Sequence, residues 1–125
     1  MIERHFFGIE LALADQVGSR RGDTKHGYSL HLPLTVEGHV DESAFLHHAD
    51  LFVVVRRRRG QADRPGKLLR GRPGSWMFQY DGADRGADDT SFRLSEVHFA
   101  PGRFLSVTED DGATRAFKVT SVTPD

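Results

Sequence analysis

The stretch Ser91–Val122, SFRLSEVHFAPGRFLSVTEDDGATRAFKVTSV, governs how the rest of the chain is read, because it predicts three strands joined by two turns. Phe92 and Leu94 alternate, the phase slips at Ser95-Glu96, and Val97 and Phe99 resume on the other parity before Ala100-Pro101-Gly102 turns the chain. A one-residue slip in a period-2 pattern is the mark of a β-bulge or corner. Phe104, Leu105 and Val107 then run into Glu109-Asp110-Asp111-Gly112, and Phe117, Val119 and Val122 come back. Asp-Gly between two such runs predicts a hairpin turn of type I′, whose two central residues both need positive φ. A second slip, between Val119 and Val122, predicts a bend in the return strand, as in a small barrel.

Working back from there, Phe7, Ile9, Leu11 and Leu13 alternate with more polar neighbours and predict a half-buried first strand. Residues 15–25 carry no periodicity and read as a loop. Tyr28, Leu30, Leu32, Leu34 and Val36 form the inward set of a second strand, in which Pro33, unable to donate to a ladder, points to a sheet edge or bulge. Asp41 is placed to cap a short helix over Glu42–Ala49. The continuous apolar run Leu51–Val55 predicts a central strand buried on both faces. Gly60 and Pro65-Gly66 read as turn residues, Lys67–Arg70 as a short returning strand, and Asp81–Asp89 as an exposed loop. Eight or so short strands, at most one helix and closely spaced turns predict an all-β fold, a small single-domain barrel or sandwich over residues 1–125.

The composition narrows the chemistry. There is no cysteine among the 125 residues, which removes disulfides, thiolate metal sites and a cysteine nucleophile. The first residues lack the layout of a signal peptide, and the longest aliphatic or aromatic run is five residues, far short of the ~20 that cross a bilayer. A cytoplasmic protein without a membrane span is the expectation. The seven histidines include no i, i+4 helical pair, and Asp81, Asp84, Asp88 and Asp89 do not have the spacing of a calcium loop. No metal or cofactor is expected, and no nucleophile elbow, P-loop or dinucleotide fingerprint names a catalytic residue.

Charge is the most uneven property. Arg56, Arg57, Arg58, Arg59, Arg64, Lys67, Arg70 and Arg72 face a single acid, Asp63, so residues 56–72 carry +7 while the chain as a whole carries −1. Clustered guanidinium forks suit phosphate or carboxylate and make this stretch the candidate contact surface for a protein or other anionic partner. In an extended strand, Arg56 and Arg58 would face one way and Arg57 and Arg59 the other, so one ligand could meet all four only if the strand ended there. Trp76, Phe78 and Tyr80 share a strand face, which suits a barrel core and also suits stacking of Trp76 and Tyr80 on exposed bases.

Phe99-Ala-Pro-Gly-Arg-Phe-Leu-Ser-Val-Thr-Glu109, followed by a turn and Val119 and Val122, resembles the strand pair of the PUA-like and ASCH-type barrels, with Arg103 where that family usually has aspartate. The resemblance covers about a fifth of the chain and implies an RNA-associated barrel. Three functional readings follow. The first is a non-enzymatic binding module using the basic loop. The second is a single-stranded nucleic-acid binder adding Trp76 and Tyr80, and the third is an enzyme or ligand carrier with a pocket inside the barrel.

Overall fold

The structure is a computed structural model that describes residues 6–14, 23–71, 74–82, 89–91 and 93–125. Eight strands close into one antiparallel barrel: β1 Phe6–Leu13, β2 Asp23–Pro33, β3 Val53–Arg57, β4 Arg64–Arg70, β5 Trp76–Tyr80, β6 Asp89–Ser91, β7 Phe104–Thr108 and β8 Thr114–Pro124. Each strand pairs with its successor, and β8 returns to pair with β1 from Phe7↔Pro124 to Leu13↔Phe117. Closure leaves no terminal edge strand in the sheet, the usual solution for an up-and-down β-fold.

The period-2 signal fixes which side chains face inward. Ile9 and Leu11, Tyr28, Leu30 and Leu32, Val54, Leu68, Trp76 and Phe78, Leu105 and Val107, and Phe117 and Val119 fill the interior, nearly all fully buried. The slip expected before Val122 is present: Glu10 faces Ser121 but Leu11 faces Val119, so Thr120 is the extra residue of a bulge.

The two ends of the barrel differ in kind. At one end the connection from β2 to β3 folds over the opening as two 3₁₀ turns flanking a short helix, Glu42–Ala44, Phe45–His48 and Ala49–Leu51. There Phe52 stacks on Trp76 at 5.5 Å, and Phe45 stands edge-on to both at 5.1 and 5.3 Å. At the other end lie the β3–β4 and β7–β8 connections, and the side chains facing in are polar.

Several local expectations are corrected. Asp41 makes no side-chain cap; its carboxylate instead accepts the Ser43 hydroxyl at 2.6 Å. Pro33 is the last residue of β2, paired with Phe6 in a sheet that has no free edge there, and Val36 is fully exposed in the turn beyond it. The apolar run Leu51–Val55 is not one strand: Leu51 ends the helical connection, and β3 starts at Val53 and is only half-buried on its outer face. Pro65-Gly66 is not a turn but lies within β4, where a Cβ on Gly66 would stand 2.3 Å from the Gln79 carbonyl oxygen, so the glycine permits close strand approach.

The first of the three strands expected after Ser91 is also corrected. β6 ends at Ser91, and the phase slip at Ser95-Glu96 is a 3₁₀ turn, Leu94–Glu96, rather than a bulge. The last hairpin is present but its turn is not type I′, since only Gly112 has positive φ, at 86°. The Gly112 N–H donates to the Glu109 carbonyl and Glu109 N–H to the Ala113 carbonyl, which closes a three-residue loop with the glycine in the left-handed position.

Candidate functional site

Charged residues continue the inward parity of their strands at the polar end. Arg56 follows Val54, Glu109 follows Leu105 and Val107, and Asp89 precedes Ser91. Asp89 and Glu109 are 0% and 2% exposed and Arg56 is 3% exposed, so each needs a partner inside the barrel. Asp89 thus falls inside, not in the exposed loop expected over Asp81–Asp89.

The partners come from strands far apart in sequence. Tyr28 Oη lies 2.8 Å from Asp89 Oδ2 and 2.6 Å from Glu109 Oε2, and Tyr80 donates its hydroxyl to the same Asp89 oxygen at 2.5 Å. Asp89 Oδ1 accepts the Asp110 N–H at 2.8 Å. Glu109 accepts from His26 Nε2 at 3.0 Å, Arg115 Nη1 at 3.0 Å and Arg58 Nη2 at 3.2 Å. Arg56 Nη1 reaches Asp110 at 3.2 Å while its guanidinium lies 4.6 Å above the Tyr80 ring. Arg115 grips Asp111 with both terminal nitrogens.

One hydroxyl hydrogen cannot be donated to two carboxylates at once. The Tyr28 hydroxyl, within donating distance of both, serves them in turn, with the shorter contact to Glu109. Burial, with Glu109 adding to it, holds Asp89 above the usual aspartate range despite the hydroxyls of Tyr80 and Tyr28 and the charge of Arg56. Burial acts on Glu109 in the same direction, but the Tyr28 hydroxyl, His26 and Arg58 outweigh it and hold Glu109 below the usual range. The two carboxyls are thus driven apart, Asp89 being the easier of the two to protonate. The carboxyls of Asp89, Glu109, Asp110 and Asp111 face the guanidiniums of Arg56, Arg58 and Arg115 and the imidazole of His26. Burial drives both phenols far above their ordinary pKa, so they stay neutral donors.

This cluster absorbs much of the basic stretch. Arg57, outward on β3, donates to Glu10 Oε1 at 3.0 Å, to Ser29 Oγ and to the Leu11 carbonyl at 3.1 Å, reaching over Gly27. The strand ends at Arg57, so Arg58 bends back over the mouth to the acids that also meet Arg56. Its Nε is buried with no hydrogen-bond partner among the described residues. Arg70 pairs with Glu42 at 2.9 Å, and half-buried Arg64 lies 5.9 Å from the Tyr80 ring. Arg59 and Lys67 are exposed, and Arg72 lies outside the described residues.

Arg56, Arg57 and Arg58 are thus bound to the protein's own carboxylates and do not form a vacant anion surface. The stacking expectation fails for a simpler reason. Trp76 and Tyr80 are 1% and 3% exposed, and Trp76 spends its indole N–H on Ser95 Oγ at 2.8 Å, so neither ring offers a face to a base.

A second feature lies outside the barrel wall. β6 joins β7 through one residue pair, Thr90↔Thr108, before the chain leaves the sheet for the Leu94–Glu96 turn. A groove of about 610 Å³ opens beside β7, lined by Ser91, Arg93, His98, Arg103, Phe104 and Ser106 among others. Its size lies within the range of small-ligand sites, and Phe104 is 61% exposed beside it.

Among the described residues no group of three or more His, Asp or Glu side chains is arranged to hold a metal ion, and no helix is long and apolar enough to cross a membrane. Comparison with protein-family models, with curated proteins and with solved structures found no match to this chain. The likeness of Phe99–Glu109 to the PUA-like barrels stands on that segment alone.

Proposed function

We propose that the protein is a non-enzymatic binding module, and that it binds through the groove beside β7 rather than through the arginine loop. The observation that carries this reading is the parting of β6 from β7 after a single residue pair among the described residues, which leaves a groove of mixed polarity with two arginines and an exposed phenylalanine on its lining. An exposed aromatic at the centre of a concave, mixed-polarity surface is what binding hot spots are made of. The buried acid, phenol and arginine cluster fits a different role, the satisfaction of a barrel mouth. The Asp89 and Glu109 carboxyls are fully buried and hydrogen-bonded to side chains of the same chain, so a substrate would have to displace these partners.

An amide-resolved NMR titration of the full chain with a panel of small neutral and anionic fragments tests the reading. The expected result is a cluster of shifts at Ser91, Val97 and Phe104–Ser106. Shifts confined to residues 56–70, or saturable binding with no shift near β7, would overturn it.

A further inference from the structure

Resting on the groove as the binding surface, we infer that its occupant is an extended peptide segment carrying an acidic side chain, which pairs with the uncovered edge of β7. The ladder with β8 sets which backbone groups are free to take part. Val119 N–H donates to the Arg103 carbonyl at 2.8 Å and Glu109 N–H to the Ala113 carbonyl at 2.9 Å. In an antiparallel ladder, residues bonded to one neighbour alternate with residues bonded to the other. Leu105, Val107 and Glu109 therefore turn their N–H and C=O toward β8, as Arg103 does its carbonyl while its N–H closes a turn on the Ala100 carbonyl at 3.1 Å, and Phe104, Ser106 and Thr108 turn theirs toward β6.

On that second side the pairing runs out. Thr108 meets Thr90, and the Ser106 carbonyl accepts the Ser91 hydroxyl at 2.8 Å. Opposite Phe104 the chain has already curled into the 3₁₀ turn, where Val97 N–H bonds back to the Leu94 carbonyl at 3.2 Å. Among the described residues nothing bonds the groove-facing N–H and C=O of Phe104. A strand edge of this kind is a template for an added strand, in which backbone bonds give affinity and alternate side chains give specificity.

Charge selects the occupant. Arg93 and Arg103 line the groove against one acid, Glu96, and the Arg93–Glu96 pair spans 3.6 Å with both side chains well exposed. Such a solvated pair is weakly held and exchanges readily with a carboxylate from a partner. The apolar contacts available are Phe104 and Val97, which suit β-branched or aromatic side chains on the same segment.

The test is selection of a displayed library of random heptapeptides on the full chain, with the tightest binder then synthesised and measured by fluorescence anisotropy. Recovered peptides should carry Asp or Glu beside β-branched or aromatic residues. N-methylation should weaken the synthetic peptide by about tenfold or more at the residue that faces Phe104 and by less than about twofold at the residues on either side, because Phe104 is where the edge offers both its N–H and its C=O. Arg103→Glu should weaken it at least about tenfold and Lys67→Glu, on exposed β4, by less than about twofold. Failure to recover any peptide, equal loss at every N-methylated position, or indifference to Arg103→Glu would each overturn the proposal. Fragments that shift groove amides while no peptide is recovered would sink the peptide and spare the binding site; peptides that shift only residues 56–70 would sink both.

Discussion

The two ends of the barrel solve the same problem with opposite chemistry. At the helical end, Phe45, Phe52 and Trp76 pack edge-on and stacked and exclude water by bulk. At the polar end, Tyr28, Tyr80, Asp89 and Glu109 fill the same cross-section and must satisfy every donor and acceptor they bury. An apolar plug tolerates imperfect geometry at a modest cost, whereas a polar network loses heavily when one member is removed.

Substitutions at the two ends sharpen that contrast. Trp76→Ala removes the largest fully buried side chain and should lower unfolding stability by about 3–5 kcal/mol, read from urea denaturation. A loss near 1 kcal/mol would mean that the cap, not the ring, seals this end. At the polar end Glu109→Gln leaves Arg58 and Arg115 short of their carboxylate and should cost about 3 kcal/mol. Asp89→Asn, which mimics the protonated carboxyl in charge, should cost only about 1 kcal/mol or less. Equal losses for the two substitutions would show that burial does not disfavour the Asp89 charge more than that of Glu109.

The pH dependence separates the same two residues. Asp89, raised in the folded state, contributes stability fully present below its unfolded pKa of about 3.9, and that contribution is lost as pH rises through its folded value. Glu109, lowered in the folded state, contributes stability present above its unfolded pKa of about 4.3 and lost as pH falls through its folded value. Denaturation midpoints between pH 3 and pH 8 should therefore show Asp89→Asn gaining on the parent protein as pH rises. The deficit of Glu109→Gln should shrink in acid. Parallel curves for parent and both variants would refute the split. The smallest effect is expected in the turn beside this end: Gly112→Val at φ 86° should cost on the order of 1 kcal/mol, and no change would mean that the loop relaxes to another conformation.

What could be read from the sequence follows the same division. Alternation alone identified the inward sets of β1, β5 and β8 and that of β2 as far as Leu32, because burial of one face imposes a period that each strand carries by itself, but it did not separate the outward Phe104 of β7 from Leu105 and Val107. It failed where length competed with period. Leu51–Val55 looked like a buried strand because a 3₁₀ turn and a strand end contributed adjacent apolar residues. Ser91–Phe99 looked like a bulged strand because a 3₁₀ turn also shifts phase.

The polar cluster was illegible for a different reason. Tyr28 is 61 residues from Asp89 and 81 from Glu109, so no local window contains both partners. A usable signal was nevertheless present. Arg56, Asp89 and Glu109 each occupy the inward parity of a strand at its loop end, and an inward charge demands an opposite one at the same level of the barrel. That Arg56 and Arg57 face opposite ways was legible from the strand period, but their partners, Asp110 and Glu10, are 54 and 47 residues away. The groove had no sequence signature, since it results from where β6 stops.

The pairing of β1 with β8 also sets the order in which the barrel can assemble. Hairpins between successive strands close short loops, but Phe7 meets Pro124 only after nearly the whole chain has been drawn together, a loop whose entropy must be met before its hydrogen bonds form. Folding of such non-local β topology falls in the millisecond-to-second range. The buried carboxylates of Asp89 and Glu109 reach Tyr28 on β2 only through similarly distant contacts, so their desolvation belongs to the late, downhill side of the barrier. Losing a polar-end partner should then speed unfolding far more than it slows folding, making this mouth the latch that sets how long the closed barrel lasts.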